Sequence, residues 1–174
     1  MDIKNGRSLQ PDKKRAAVCG LFCPSCSIYI STVEDTRRLA MIANAMNQPV
    51  EDTRCEGCRS QARNSYCKTC KIYSCAAEKG IDFCVQCSDY PCEEIKNFQS
   101  VLPHRLELWQ SQDRIKEVGW EQWYKEQHTH YSCLRCEAIN SAYDKACRKC
   151  GATPSCEYVR INRVGIAGRM PGQA

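Results

Sequence analysis

Residues 55–92 read CEGCRSQARNSYCKTCKIYSCAAEKGIDFCVQCSDYPC, and this stretch decides how the chain folds. It contains eight cysteines, six of which form three pairs with the spacing Cys-x-x-Cys. Two sulfurs three positions apart on a tight turn bind a metal ion from one side, and a second pair completes a tetrahedral site of four sulfurs. The stretch therefore predicts metal sites as the frame of the fold.

The whole chain has 174 residues, of which 16 are cysteine. A short chain this rich in cysteine is either a disulfide scaffold or a metal protein. The N-terminal segment has no apolar stretch typical of a secretory signal, and no run of residues approaches the length that spans a membrane. We therefore expect a cytoplasmic protein with reduced thiols, which favours metal over disulfides.

The formal net charge of +5 changes when thiolates bind metal. Three sites of four thiolates around a divalent ion would lower it from +5 to about −1. Basic residues lie mainly at the two ends: residues 1–18 hold five Lys or Arg against two Asp, and residues 157–174 hold three Arg against one Glu. Any affinity for a polyanion would then come from the ends of the chain.

Upstream of the central stretch, Cys19, Cys23 and Cys26 have the spacing C-x3-C-x2-C. The same spacing occurs in radical-SAM enzymes, where three thiolates hold an iron–sulfur cluster with one iron left open. Those enzymes need a large barrel domain, for which this chain has no room. Ordinary metal ligands or core cysteines are the favoured interpretation, and an open three-cysteine site is the alternative.

Apolar spacing predicts several helices. One is expected to begin at Thr32, with Asp35 as its capping-box partner, and to end before Pro49. Further helices are predicted at residues 74–79, after Pro91, at 104–118 and at 120–124.

The segment 131–151 reads YSCLRCEAINSAYDKACRKCG. Its spacing C-x2-C-x10-C-x2-C, with glycine directly after Cys150, predicts a zinc ribbon. Cys156 follows Pro154 and falls outside this set of four.

Five motifs together resemble a known family: CGLFCPSC, CEGCRS, CKIYSCAAEKG, FCVQCSDYPCEEI and GWEQWYKEQ. They are similar to a prokaryotic cysteine-rich family catalogued as domain of unknown function thirty-seven ninety-five. The resemblance implies a small, α-rich, metal-binding domain without an established enzyme activity. The ribbon also resembles the RanBP2-type finger through Asn140 and both spacings, although Tyr131 replaces the usual tryptophan. Only the ribbon scaffold is implied by that second resemblance.

The predicted fold is a small α-rich metal-stabilised (zinc-knuckle) domain plus a C-terminal β zinc ribbon. A mobile basic N-terminus (1–17) precedes the cysteine-rich domain (18–128), and the ribbon (129–156) precedes a disordered basic tail (157–174). We predict about three zinc ions, with iron or iron–sulfur clusters as the alternative. Which pairs share a site is left open. The predicted ligands are Cys19, Cys23, Cys26, Cys55, Cys58, Cys67, Cys70, Cys75, Cys84, Cys87, Cys92, Cys133, Cys136, Cys147 and Cys150.

The pattern favours a non-enzymatic zinc-binding module that presents a surface to a protein or to RNA or a ribonucleoprotein. We find no Ser/His/Asp set, no phosphate-binding glycine loop and no paired carboxylates, so an enzyme is disfavoured. The alternative is an iron–sulfur, redox or metal-handling protein that uses the Cys19/Cys23/Cys26 set. No membrane partner or small-molecule substrate is predicted. The basic residues that suggest RNA in the ribbon are Arg135, Lys145, Arg148 and Lys149.

Overall fold

A computed structural model describes residues 10–99 and 102–169. Four short 3-10 helices lie within them at Lys13–Arg15, Cys23–Ser25, Cys84–Gln86 and Pro103–Arg105. The α-helices of the described residues are α1 (Ser27–Glu34), α2 (Thr36–Ala45), α3 (Val50–Thr53), α4 (Ser65–Lys68), α5 (Lys71–Glu78), α6 (Glu93–Gln99), α7 (Leu108–Val118), α8 (Trp120–Tyr131), α9 (Glu157–Ile161) and α10 (Arg163–Ala167). The predicted α-rich character is confirmed. None of these helices is both long and apolar enough to cross a membrane.

The predicted β structure of the ribbon is not found in the described residues. A single antiparallel bridge joins Ser132 to Ile139. The pairing cannot extend backward, because the chain is helical up to Tyr131. On that side Ser141 also turns away, donating its N–H to the Asp144 carboxylate at 2.7 Å. In the other direction the two segments close at once in a tight turn, in which Glu137 donates its N–H to the Cys133 carbonyl at 2.8 Å.

The helix predicted to begin at Thr32 begins instead after Asp35. The Asp35 carboxylate accepts the N–H of Arg38 at 2.9 Å and caps α2, as an aspartate does at this position. Thr32 lies inside α1, where its hydroxyl donates to the Ile28 carbonyl and accepts the N–H of Cys55. Its role is therefore to attach the first Cys-x-x-Cys turn of the central stretch to α1.

Two glycines end helices as expected. Gly80 follows α5 with φ +63° and Gly119 follows α7 with φ +82°, a region of backbone conformation that glycine occupies without strain. The helix predicted at 104–118 starts later, at Leu108, because Pro103–Arg105 forms a separate 3-10 helix. The aromatic residues predicted at 120–124 belong to a longer helix that continues to Tyr131.

The main hydrophobic core is built from aromatic rings. Trp123 is fully buried, and the Phe22 ring contacts both Trp123 and Tyr124 edge-on, with centroids 6.2 and 4.9 Å away. Tyr131 stacks on Tyr158 with 4.7 Å between centroids. These five rings come from the N-terminal part of the chain, from α8 and from α9. One core therefore joins residues on both sides of the boundary predicted between 128 and 129.

The prediction of a disordered tail from residue 157 is wrong for residues 157–169. They form α9 and α10, and Tyr158, Val159 and Ile166 are buried in the main core. The Tyr158 hydroxyl also donates to the Pro103 carbonyl at 2.7 Å. Burial of these three side chains stabilises the two helices despite the glycines in the segment. Residues 170–174 lie outside the described residues.

The prediction of a mobile N-terminus is likewise wrong for residues 10–17. Ala16 is buried in the main core and Ala17 in a second hydrophobic cluster, and the Lys13 ammonium lies 2.6 Å from the Asp82 carboxylate. Residues 1–9 lie outside the described residues. The part of the basic segment nearest the body is thus packed against it.

We predict that two valines of the C-terminal helices respond differently to the same substitution. Val159 is buried and Val164 is 83% exposed. Val159→Ala should lower the free energy of unfolding by about 2 kcal/mol, because it removes two buried methyl groups and leaves a cavity. The control Val164→Ala should change it by less than about 0.5 kcal/mol. Denaturant unfolding monitored by circular dichroism measures both, and equal effects would contradict the packing of α9.

Candidate metal centres

The four cysteines predicted to close the C-terminal site lie together. The sulfurs of Cys133, Cys136, Cys147 and Cys150 are all within 4.8 Å of one another. The Cys133 and Cys150 sulfurs are 3.7 Å apart, and those of Cys136 and Cys147 are 3.5 Å apart. Among the described residues, no other group of cysteine, histidine and acidic ligand atoms is this compact. Four sulfurs in one small volume are a donor set suited to a tetrahedral metal ion.

Two tight turns place these sulfurs. In the first, Glu137 donates its N–H to the Cys133 carbonyl at 2.8 Å, and Arg135 donates its own to the Cys133 sulfur at 3.4 Å. In the second, Gly151 donates to the Cys147 carbonyl at 2.8 Å. Gly151 has φ +72°, which explains the glycine directly after the last cysteine.

Asn140 connects the two turns from inside. It is fully buried, and its side-chain amide donates to the Ser155 carbonyl at 3.2 Å and to the Cys147 sulfur at 3.6 Å. Its side-chain oxygen accepts the N–H of Arg148 at 3.0 Å. In the sequence, Asn140 stood out only through the resemblance to the RanBP2-type finger. In the structure its side chain forms hydrogen bonds to the Cys147 sulfur and to the backbone of the second turn.

The four thiols influence one another's ionisation. Burial opposes ionisation of Cys147, but the N–H groups of Cys150 and Lys149 and the Asn140 amide lower its pKa to about 6. The Ala138 N–H favours the Cys136 thiolate, yet burial and the neighbouring thiols raise the pKa of Cys136 to about 12. The Cys147 thiolate thus forms easily, and its negative charge opposes ionisation of Cys136. A divalent cation in their midst would remove this opposition and hold all four as thiolates.

Ion pairs attach this cluster to the N-terminal half. The Arg148 guanidinium lies 2.7 Å from the Glu34 carboxylate at the end of α1, and the Lys149 ammonium lies 3.5 Å from the same carboxylate. Arg38 of α2 pairs with Asp144 at 2.8 Å. Two of the four basic residues proposed for RNA therefore bind within the protein.

Seven of the remaining predicted ligands lie in the N-terminal half around the second hydrophobic cluster and its margin. Cys19, Cys23, Cys58 and Cys70 pack in this cluster with Ile72 and Leu108. Cys58 donates its N–H to the Cys23 sulfur at 3.4 Å, and the Asn64 amide donates to the Cys67 sulfur at the same distance. The seven are Cys19, Cys23, Cys26, Cys55, Cys58, Cys67 and Cys70.

Mutual repulsion indicates which of these seven are neighbours. Burial, and then repulsion from Cys58, raises the pKa of Cys19. Burial, followed by repulsion from Cys55 and Cys26, raises the pKa of Cys67 to about 12. The two sulfurs of the Cys55/Cys58 turn therefore have different neighbours. Cys58 lies toward Cys19, and Cys55 lies toward Cys67.

The alternative ligand set is not gathered into one site. Cys19, Cys23 and Cys26 do not form a compact group, and the thiols that repel Cys19 are Cys58, Cys84 and Cys70. Cys156 is buried in the main aromatic core, at the start of α9. Its role there is packing.

Two of the histidines that could have supplied nitrogen ligands are engaged elsewhere. His104 Nδ1 lies 2.8 Å from the Tyr143 hydroxyl, and His130 Nε2 lies 2.8 Å from the Glu107 carboxylate. Burial lowers the pKa of His104 to about 3, so it stays neutral. The ring nitrogens of these two histidines are therefore occupied by contacts away from the cysteine clusters.

The remaining ligands, Cys75, Cys84, Cys87 and Cys92, line one cavity of about 50 Å³ between α5 and α6. Cys75 lies on α5, Cys84 and Cys87 flank the 3-10 helix at Cys84–Gln86, and Cys92 directly precedes α6. The sequence placed these cysteines in one stretch without indicating that they share a site.

Comparison with known proteins confirms the family resemblance. Residues 15–97 match the family model described as protein of unknown function (DUF3795). The match includes all eleven cysteines of the N-terminal half and ends before the C-terminal cluster, so it does not bear on the ribbon. No curated protein and no solved structure matches the chain.

We predict that Asn140 strengthens metal binding without being a ligand. Asn140→Ala removes a hydrogen bond to the Cys147 sulfur and the link between the two turns, so affinity for Co²⁺ should fall roughly 10- to 100-fold. The control Asn44→Ala alters an exposed position on α2 and should leave affinity unchanged. Competition with a chromophoric chelator measures both affinities. Values for Asn140→Ala within twofold of the parent protein would contradict this role.

Proposed function

We propose that this chain, whose residues 15–97 carry a domain of the DUF3795 family, is a non-enzymatic zinc-binding module that presents a surface to another protein. The observation that carries the proposal is the compact group of four sulfurs at Cys133, Cys136, Cys147 and Cys150. A closed set of four protein ligands is typical of structural zinc, whereas catalytic zinc keeps one position open.

Zinc is preferred over iron for two reasons. It is the usual occupant of isolated four-thiolate sites, although thiolate cages accept both metals. The iron–sulfur alternative rested on Cys19, Cys23 and Cys26 acting together, and the repulsion on Cys19 comes from other cysteines. About three zinc ions are expected, in a reducing compartment such as the cytoplasm, where thiols stay available as ligands.

The ions would supply stability that the N-terminal half otherwise lacks. Its hydrophobic cluster has only seven buried residues, one of which is Cys19, and four more cysteines pack against them. Small domains with thin cores commonly depend on metal, and the free energy of metal binding then becomes free energy of folding. The zinc ions would act as the centre of this half of the molecule.

A protein is favoured over RNA as the partner. Arg148 and Lys149 pair with Glu34, although Lys149 is still exposed, and Arg135 and Lys145 are the two basic residues of the C-terminal segment outside those ion pairs. Zinc-loaded sites would also bring the net charge close to zero. Leu134 lies between Cys133 and Cys136 and is 86% exposed, so the metal-held turn presents an apolar side chain to solvent. This exposed side chain would add buried apolar area to a contact with a protein.

The zinc assignment predicts a definite change in metal content. Cys136→Ser combined with Cys150→Ser should remove one zinc ion per chain, because the site loses two of its four sulfurs. Cys156→Ala also removes a thiol, but from the hydrophobic core, and should keep the full content. Elemental analysis of the purified proteins gives the counts. Zinc content that is unchanged in the double variant, or iron in place of zinc in the parent, would refute the assignment.

The choice of a protein partner predicts weak binding to nucleic acid. Fluorescence anisotropy with labelled single-stranded RNA in about 50 mM salt should show no saturable binding by the zinc-loaded chain. Arg135→Glu with Lys145→Glu should give the same result as the parent protein. Saturable binding that weakens steeply with salt, and that the charge reversals abolish, would establish RNA as the partner instead.

A further inference from the structure

We propose that Cys75, Cys84, Cys87 and Cys92 form a second four-sulfur zinc site, more exposed and more easily emptied than the cluster at Cys133–Cys150. The proposal extends the zinc-binding function and depends on it. All four cysteines line the same cavity, and they come from three separate elements that the fold brings together: α5, the 3-10 helix at Cys84–Gln86 and the residue before α6.

The size of the cavity fits an ion. Its volume of about 50 Å³ exceeds what one water molecule requires and is well below the several hundred Å³ of a small-molecule site. Among the described residues these sulfurs are less compact than the C-terminal four, so metal binding here requires the cysteine side chains to turn toward the centre of the cavity.

Hydrogen bonds to residues outside the cavity hold the turn that bears Cys84 and Cys87. Cys84 donates its N–H to the Val18 carbonyl at 2.9 Å. The buried Gln112 side chain accepts the N–H of Val85 at 2.8 Å and donates to the same Val18 carbonyl at 3.1 Å. The Gln86 side chain accepts the N–H groups of Asp82 and Phe83. The turn bearing Cys84 and Cys87 is thus fixed before any metal arrives, as a metal site requires.

A positive charge accompanies the sulfurs. Lys79 lies one helical turn after Cys75, and its ammonium donates to the Cys87 sulfur at 3.1 Å and to the Asp89 carboxylate at 2.7 Å. Four thiolates around a divalent ion carry two net negative charges, which a neighbouring ammonium partly offsets.

Exposure distinguishes this site from the C-terminal one. Cys75 and Cys92 are exposed and Cys84 and Cys87 are partly buried, whereas two sulfurs of the C-terminal cluster, those of Cys133 and Cys147, are buried. A chelator or an alkylating reagent reaches exposed ligands first. Zinc at the cavity should therefore leave before zinc at the C-terminal cluster.

The test uses the full zinc-loaded chain, limiting EDTA and a pulse of N-ethylmaleimide, followed by mass spectrometry of the cysteine peptides. The expected result is that Cys75, Cys84, Cys87 and Cys92 become alkylated together as about one zinc ion is released, before the C-terminal four. Alkylation of Cys75 and Cys92 at full zinc loading, at the rate seen in excess EDTA, would overturn the proposal. So would protection that persists in EDTA and disappears only with a reductant, because that indicates a disulfide.

Variants provide an independent readout. Cys75→Ser with Cys92→Ser should lower the content by one zinc ion, whereas Glu94→Gln, which changes an acidic side chain at the same cavity, should not. Lys79→Met keeps every sulfur and should keep the zinc count while speeding zinc release from this site several-fold. Unchanged zinc content in the double variant, or unchanged release from Lys79→Met, would count against the site.

The two zinc assignments fail in different ways. Free alkylation of the C-terminal four in the loaded protein, with the cavity four protected, would refute the site that carries the proposed function and leave the cavity site standing. The reverse pattern would refute only the cavity site.

Discussion

Burial of crowded thiols is the constraint on which this structure depends. Eleven cysteines lie between residues 19 and 92, and burial, followed by repulsion from neighbouring thiols, raises the pKa of Cys67 and Cys84 to about 12. Without cations the chain would have to keep these groups protonated inside a small apolar cluster. With divalent ions the same crowding becomes favourable, because each ion holds several thiolates at once. The Cys58 N–H that donates to the Cys23 sulfur at 3.4 Å partly offsets the effect of burial, which raises the pKa of Cys23.

The main, aromatic core joins the two cysteine-rich regions of the chain. Phe22 directly precedes Cys23, and its ring packs against Trp123, Tyr124 and Tyr131 of α8, the helix that leads into the C-terminal cluster. Tyr131 in turn stacks on Tyr158 of α9. The two cysteine-rich regions therefore share a core as well as ion pairs, so loosening one region should be felt in the other. A chain with separate, independently folding metal modules would not need such a continuous set of rings.

Sequence reasoning succeeded where spacing determines structure by itself. The C-x2-C-x10-C-x2-C pattern identified the four sulfurs that lie together, and the glycines at 80 and 119 end helices as expected. It failed where contacts between residues far apart in the chain determine the structure. Asp35 competes with Thr32 as a helix cap, and the choice depends on Cys55, which occupies the Thr32 hydroxyl. The tail was predicted to be disordered because the sequence shows its glycines. The aromatic core in which Tyr158 is buried is formed by residues far away in the chain, so the sequence of the tail does not indicate it. Pairing of the N-terminal cysteines likewise depends on packing of α5 against α6, which no local pattern contains.

Differences in exposure give the sulfur groups different physical roles. The C-terminal cluster has buried sulfurs, an internal asparagine that binds both turns, and ion pairs to α1, so loss of its metal would disturb a large part of the packing. The turn of Cys84 and Val85 beside the cavity between α5 and α6 is held by hydrogen bonds to Val18 and Gln112. Because these bonds do not pass through the sulfurs, this turn would keep its backbone when the cavity metal leaves, while the half of the molecule around it would depend on the remaining ions. Within one chain, the fold thus separates sulfur ligands that maintain structure from sulfur ligands that remain accessible to the solvent.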